Sequence, residues 1–196
     1  MIPSDAMEAH AMPRLTPEEY LALERTADIK SEYLDGEMFA MSGASRWHNL
    51  ITGNLTGELR TQLRGRPCEY YPNDQRVHIP ATGLYTYPDV VVVCGEPRFE
   101  DDHVDTLLNP RVLIEVLSPT TESYDRGKKF EHYQSIDSLA EYLLVDQARP
   151  RVEHYLRQDG NQWLLTVFEG LGSTVSLPSL QCELALAEIY EKVVFG

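Results

Sequence analysis

Basic charge is scarce in this chain of 196 residues, where 17 Lys and Arg stand against 31 Asp and Glu for a formal net charge of −14. Proteins that grip a duplex mainly through its phosphates cluster Lys and Arg, so tight non-specific nucleic-acid binding is disfavoured. Short basic patches remain at Arg60, Arg64 and Arg66, at Arg126, Lys128 and Lys129, and at Arg149 and Arg151. They allow a local groove, above all if a dimer aligns two of them. Long apolar runs are missing as well: nowhere do about 18 apolar residues follow one another, which argues against a membrane-spanning helix. The first ten residues have neither a basic flank nor an apolar stretch of the kind that directs secretion. Cysteine is sparse. Cys68, Cys94 and Cys182 have neither zinc-type spacing nor the even count of a disulfide framework, and a reduced, cytoplasmic setting is expected.

What is present is enough apolar material, 42% of residues, for one sizeable core. The expected organisation is a flexible tail over residues 1–13 followed by a single domain over 14–196. Thr16-Pro17-Glu18-Glu19 is a capping box with proline at the first helical position, so a short helix should run toward Arg25. Asp35-Gly36 between Glu32-Tyr33-Leu34 and Glu37-Met38-Phe39-Ala40 predicts a hairpin over Lys30 to Met41. From Ser45 to Leu63, Trp47, Leu50, Ile51, Leu55, Leu59 and Leu63 keep near-helical spacing. Strands follow near Glu69–Tyr71 and Gln75–Ile79. The polar stretch from Gly95 to Asn109 reads as a surface loop or a short helix. Further strands are expected at Glu141–Asp146, Arg151–Tyr155, Gln162–Phe168 and Ser173–Leu177, with Asp159-Gly160 as a hairpin turn and a closing helix from Leu184 to Tyr190. The fold class is α/β: a mixed central sheet flanked by helices, with antiparallel hairpins added.

Two apolar blocks each carry one carboxylate: Pro88-Asp89-Val90-Val91-Val92-Val93 and Val112-Leu113-Ile114-Glu115-Val116-Leu117. Blocks this short read as strands buried on both faces, where an unpaired charge costs several kcal/mol. If the strands are neighbours, Asp89 and Glu115 can converge on one divalent cation. After Ser118-Pro119 the spacing turns helical, and Asp125, Lys129 and Tyr133, four apart, share a face. Two acids and a lysine around one metal are the parts of phosphodiester hydrolysis.

These residues resemble the PD-(D/E)XK nuclease superfamily, and more closely its Uma-two restriction endonuclease branch. The resemblance runs from Glu32-Tyr33-Leu34-Asp35-Gly36-Glu37 through Ser45-Arg46-Trp47-His48-Asn49, Pro88-Asp89-Val90 and Glu115-Val116-Leu117-Ser118-Pro119 to Glu141-Tyr142-Leu143-Leu144-Val145-Asp146. It implies a restriction-endonuclease-like fold and a Mg2+-dependent endonuclease, with Mn2+ as a substitute, acting on DNA. It makes Asp89 and Glu115 the metal ligands. The superfamily places a lysine two residues after the second acid, where this chain has Leu117; the similar branch draws it from the following helix, which matches Lys129, with Lys128 a competitor. Glu37 is a candidate because an N-terminal acid often completes such sites. His48, at the start of the long helix, is a candidate for contacting phosphate or sitting beside the metal. Glu32, His78, His103, His132 and His154 show no arrangement that singles them out. Asp125 reads as a helix cap or a partner that positions Lys129, and Tyr133 as packing or as a support to a residue of the site. A homodimer is expected, since cutting both strands needs two sites. The competing reading is a degraded nuclease fold serving as a nucleic-acid or protein-binding module; a third is hydrolysis of a small phosphoester.

Overall fold

A computed structural model describes residues 14–195, and the tail assigned to residues 1–13 lies outside them. The predicted capping box is formed: Thr16 accepts from the Glu19 backbone and Glu19 answers to the Thr16 N–H at 2.8 Å, opening helix α1 over Pro17–Glu24. Strands β1 (Ser31–Leu34) and β2 (Glu37–Ala40) form the hairpin. Its turn residues Asp35 and Gly36 both take positive φ, 51° and 87°, the condition that makes Asp-Gly the favoured two-residue loop.

Ser45 caps helix α2 (Arg46–Leu63). Ile51, Leu55, Leu59 and Leu63 recur at four-residue steps and are buried as one stripe, each worth about 2 kcal/mol on removal from water. They cover one face of the central sheet. That sheet contains β3 (Cys68–Pro72), β6 (Val90–Cys94), β8 (Val112–Leu117), β9 (Glu141–Asp146), β10 (Arg151–Arg157) and β11 (Trp163–Glu169), in the order β11-β10-β9-β8-β6-β3. Within this sheet only β8 and β9 pair in parallel. The crossover between them is the helix over residues 122–134, whose middle turn, Asp125–Lys129, is wound as π.

A second sheet, β2-β1-β5-β4-β7, adds β4 (Arg76–Ile79), β5 (Leu84–Thr86) and β7 (Thr106–Leu107). Together with the crossover helix it encloses the other face of the central sheet, where Val91, Val93, Leu113 and Leu117 meet Val77, Leu84, Phe130 and Tyr133. Period two therefore sorts β8: Val112, Ile114 and Val116 go to the α2 side, while Leu113, Glu115 and Leu117 go to the crossover side. β12 (Thr174–Leu177) and β13 (Cys182–Ala185) make a hairpin, and a short helix, Leu186–Ile189, follows.

Four expectations change. The segment from Gly95 to Asn109 contains β7, which adds to β4 through two residues, too short a strand to show a period. The strand Leu84–Thr86 also went unanticipated, being three residues between Gly83 and Pro88. The closing helix begins at Leu186 rather than Leu184, because Leu184 and Ala185 continue β13 against β12. Finally, Cys68 and Cys94 are joined by a disulfide. They stand opposite each other in the β3–β6 register with Cα atoms 4.0 Å apart, a proximity that depends on strand pairing and leaves no trace in spacing. Cys182 is free and buried. Among the described residues, no helix is long and apolar enough to cross a membrane.

Candidate active site

The antiparallel register of β6 and β8 pairs Val90 with Ile114, so one further step sets Asp89 opposite Glu115. Asp89 Oδ2 accepts from the Val116 backbone N–H at 2.7 Å and lies 3.1 Å from His48 Nε2. His48 is brought there by the start of α2, where its own N–H donates to the Ser45 hydroxyl. Nδ1 of His48 is buried and has no hydrogen-bond partner among the described residues.

On the crossover side, Glu115 Oε1 accepts from the Tyr133 hydroxyl at 2.7 Å and lies 2.9 Å from Lys129 Nζ. The same ammonium lies 3.1 Å from Glu32 Oε1 and 3.6 Å from Asp125 Oδ1. Thr86 donates to Glu32 from β5. The π turn delivers Asp125 and Lys129 together into the interior; such turns occur mostly as single insertions within α-helices, frequently at functional sites. Lys129 is 5% exposed, whereas its neighbour Lys128 is exposed to solvent and outside these contacts.

Electrostatics reflect an excess of acid around one cation. Burial, with the Asp125 and Asp89 charges adding to it, pushes the Glu115 carboxyl up to about 8, although Lys129 opposes the shift. Burial also raises Asp125. For Lys129, burial favours the neutral form, but Glu115, Glu32 and Asp125 outweigh it and hold the ammonium well above its usual value. Lys129 is thus a fixed positive charge and a donor rather than a base.

These groups open into a cleft of about 930 Å³ whose walls include Glu32, His48, Asp89, Glu115, Asp125 and Lys129. Of the sequence-derived candidates, the structure brings Asp89, Glu115, Lys129 and His48 to this cleft. Glu37 is not brought there. It is exposed at the turn end of the hairpin, paired with Leu34, while Phe39 and Ala40 further along β2 reach the cleft. Glu32, on the partner strand, is the acid of this hairpin that reaches the cleft, beside Lys129. No local signal marked it, because a charged residue in a short alternating strand looks like a solvent-facing one.

The donor set suits a hard divalent cation. No described hydrogen bond engages Asp89 Oδ1 or Glu115 Oε2, so each acid keeps an oxygen for a metal. Among the described residues no three His, Cys, Asp or Glu form a ready-made cage. Mg2+ does not require one, since it is commonly held by one or two carboxylates, with waters and substrate phosphate completing its shell.

Comparison with known proteins agrees with this architecture. Two uncharacterized proteins of Synechocystis sp. (strain ATCC 27184 / PCC 6803 / Kazusa) are similar: sll1609, 42% identical over 156 residues covering 80% of this chain and 88% of its own length, and slr1290, 36% identical over 183 residues covering 93% and 95%. The fold resembles a crystal structure from Anabaena variabilis described as "a putative nuclease belonging to DUF820", with a TM-score of 0.75 and 19% identity over 92% of this chain and 99% of that one. Residues 17–188 match the family model Uma2, described as "Putative restriction endonuclease", and the chain belongs to that family.

Proposed function

We propose that the chain is a Mg2+-dependent endonuclease that hydrolyses DNA phosphodiester bonds in the cleft. The observation that carries this reading is the buried Lys129 ammonium, 2.9 Å from Glu115 at the wall that Asp89 also lines. Asp89 and Glu115 would hold the cation through their uncommitted oxygens. Once bound, the cation supplies a Lewis acid that polarises the phosphate and makes water a better nucleophile at neutral pH. Lys129, locked in its charged form, donates a hydrogen bond to the attacking water or to the phosphate oxygen where negative charge grows. His48 and the Val116 N–H fix the Asp89 carboxylate, so its free oxygen faces the cleft without a search through rotamers. Glu32 and Asp125 hold Lys129 from the other sides.

The test is nicking of supercoiled DNA with Mg2+ or Mn2+. Cleavage by the native chain, lost in Asp89→Asn and in Glu115→Gln while both variants stay folded, supports the reading; cleavage that survives both substitutions removes the site from it. A second reading draws on the net charge of −14 and the lysine displaced from Leu117: a nuclease fold with a degraded site that binds without cutting. DNA binding with no cleavage in either metal would select it.

A further inference from the structure

The outer edge of β11 has no partner among the described residues, although it is seven residues long and closes one end of the central sheet. Leu164, Leu165 and Val167 are 52%, 46% and 41% exposed, and Leu171 just beyond is 49% exposed. Residues 164 and 165 point to opposite faces, so the strand is uncovered on both sides as well as along its edge. Protein edges are normally guarded by brevity, a bulge, proline or a charged side chain. β11 has none of these along its middle: all seven residues pair with β10 without interruption, and its single charge, Glu169, is its last residue.

We infer that β11 pairs antiparallel with β11 of a second copy of this chain, about a two-fold axis at Thr166, making one continuous sheet from two. The strand sequence is self-complementary in that register. Leu164 falls opposite Phe168 of the second copy, Leu165 opposite Val167, and Trp163 opposite Glu169. At each end an acid arrives beside Trp163, over whose ring Arg157 lies at 4.7 Å, so acid meets base across the aromatic ring. Parallel pairing in register would instead set Glu169 against Glu169. The segment 1–13 is a poor competitor for the edge, with two prolines and Ile2 as its only β-branched residue. The strand spans about 23 Å, at about 3.3 Å per residue. A contact of that length sits at the low end of specific interfaces, about 1,200 Å² in total, and micromolar association is expected. The inference does not depend on the nuclease reading.

Sedimentation of the full chain across the micromolar range tests it, with a mass of twice 22.3 kDa expected at the upper end. The chain carrying Leu165→Lys and Val167→Lys places like charges opposite each other and should be monomeric, as should the chain carrying Leu165→Glu and Val167→Glu. Mixing the two should restore a dimer, because each Lys then meets a Glu, and Thr166→Cys should cross-link two copies on oxidation. A chain that is monomeric at every concentration overturns the inference. So does a dimer indifferent to both double substitutions, which would place the contact elsewhere, or a monomer whose β11 amides lose protection only when residues 1–13 are removed.

Discussion

The two faces of the central sheet each bury a carboxylate with a basic partner, and they do so to opposite effect. On the α2 face, Glu141 is fully buried, Oε2 lying 2.6 Å from His154 Nε2 and Oε1 accepting the Ser179 N–H at 2.7 Å. Both oxygens are satisfied, and the surroundings are apolar side chains. On the crossover face, Glu115 keeps one oxygen uncommitted, stands beside Asp89 and Asp125, and opens to a cleft. Buried charge alone therefore does not mark a candidate site; an acid excess with an uncommitted carboxylate oxygen and access to solvent does.

Removing one partner from the closed pair should have the largest effect on folding. Glu141→Ala is expected to cost about 3 kcal/mol in urea denaturation, because it strands His154 and the Ser179 N–H, while activity per folded molecule is retained. Equal loss from a surface control would erase the contrast. On the open face the expected loss is catalytic. Lys129→Ala should lower the cleavage rate at least about a hundredfold, the scale of losing one electrostatic stabiliser, with Mg2+ binding preserved. An unchanged rate would deny Lys129 its role.

Metal should also tell the faces apart. Mg2+ at a hundred times its dissociation constant should stabilise the native chain by about 2.7 kcal/mol in thermal melts, and should not stabilise a chain with Asp89→Asn and Glu115→Gln. A gain that survives in the double variant would locate the cation elsewhere. The pH dependence sharpens the same point. Because burial raises Glu115 from 4.5 to about 8, its contribution to metal-free stability is full below 4.5 and is lost as the pH climbs toward 8. Glu115→Gln should flatten that window in melts recorded with a chelator. The smallest effect belongs to Lys128→Ala, expected to shift stability by under about 0.5 kcal/mol and leave cleavage alone.

The acids of the open face were legible because Asp89 and Glu115 interrupt blocks of Val, Ile and Leu; Lys129 was legible only through the family resemblance, since its four-residue step from Asp125 by itself fits a solvated ion pair. Glu32 was not, since its burial is created by β5 and the crossover helix, which lie 54 and 97 residues further on at Thr86 and Lys129. His154 and Glu141 looked unremarkable for the same reason: each needs the β9–β10 register to meet the other. The capping box, the Asp-Gly hairpin and the α2 stripe were local and read directly. β7, the Leu84–Thr86 strand and the Cys68–Cys94 pairing were not local and did not.

The parallel pairing of β8 with β9 acts as a proofreading device for the site. Val112 lies beside Glu141 and Leu117 beside Asp146, and this alignment decides which side of the sheet each carboxylate faces. A slip of β8 by one residue would turn Glu115 into the apolar layer under α2 and push Val116 toward Lys129, so a misaligned chain could neither bury its core nor assemble its chemistry. Asp89, Glu115 and Lys129 therefore come together only in molecules whose sheet has closed in the correct frame.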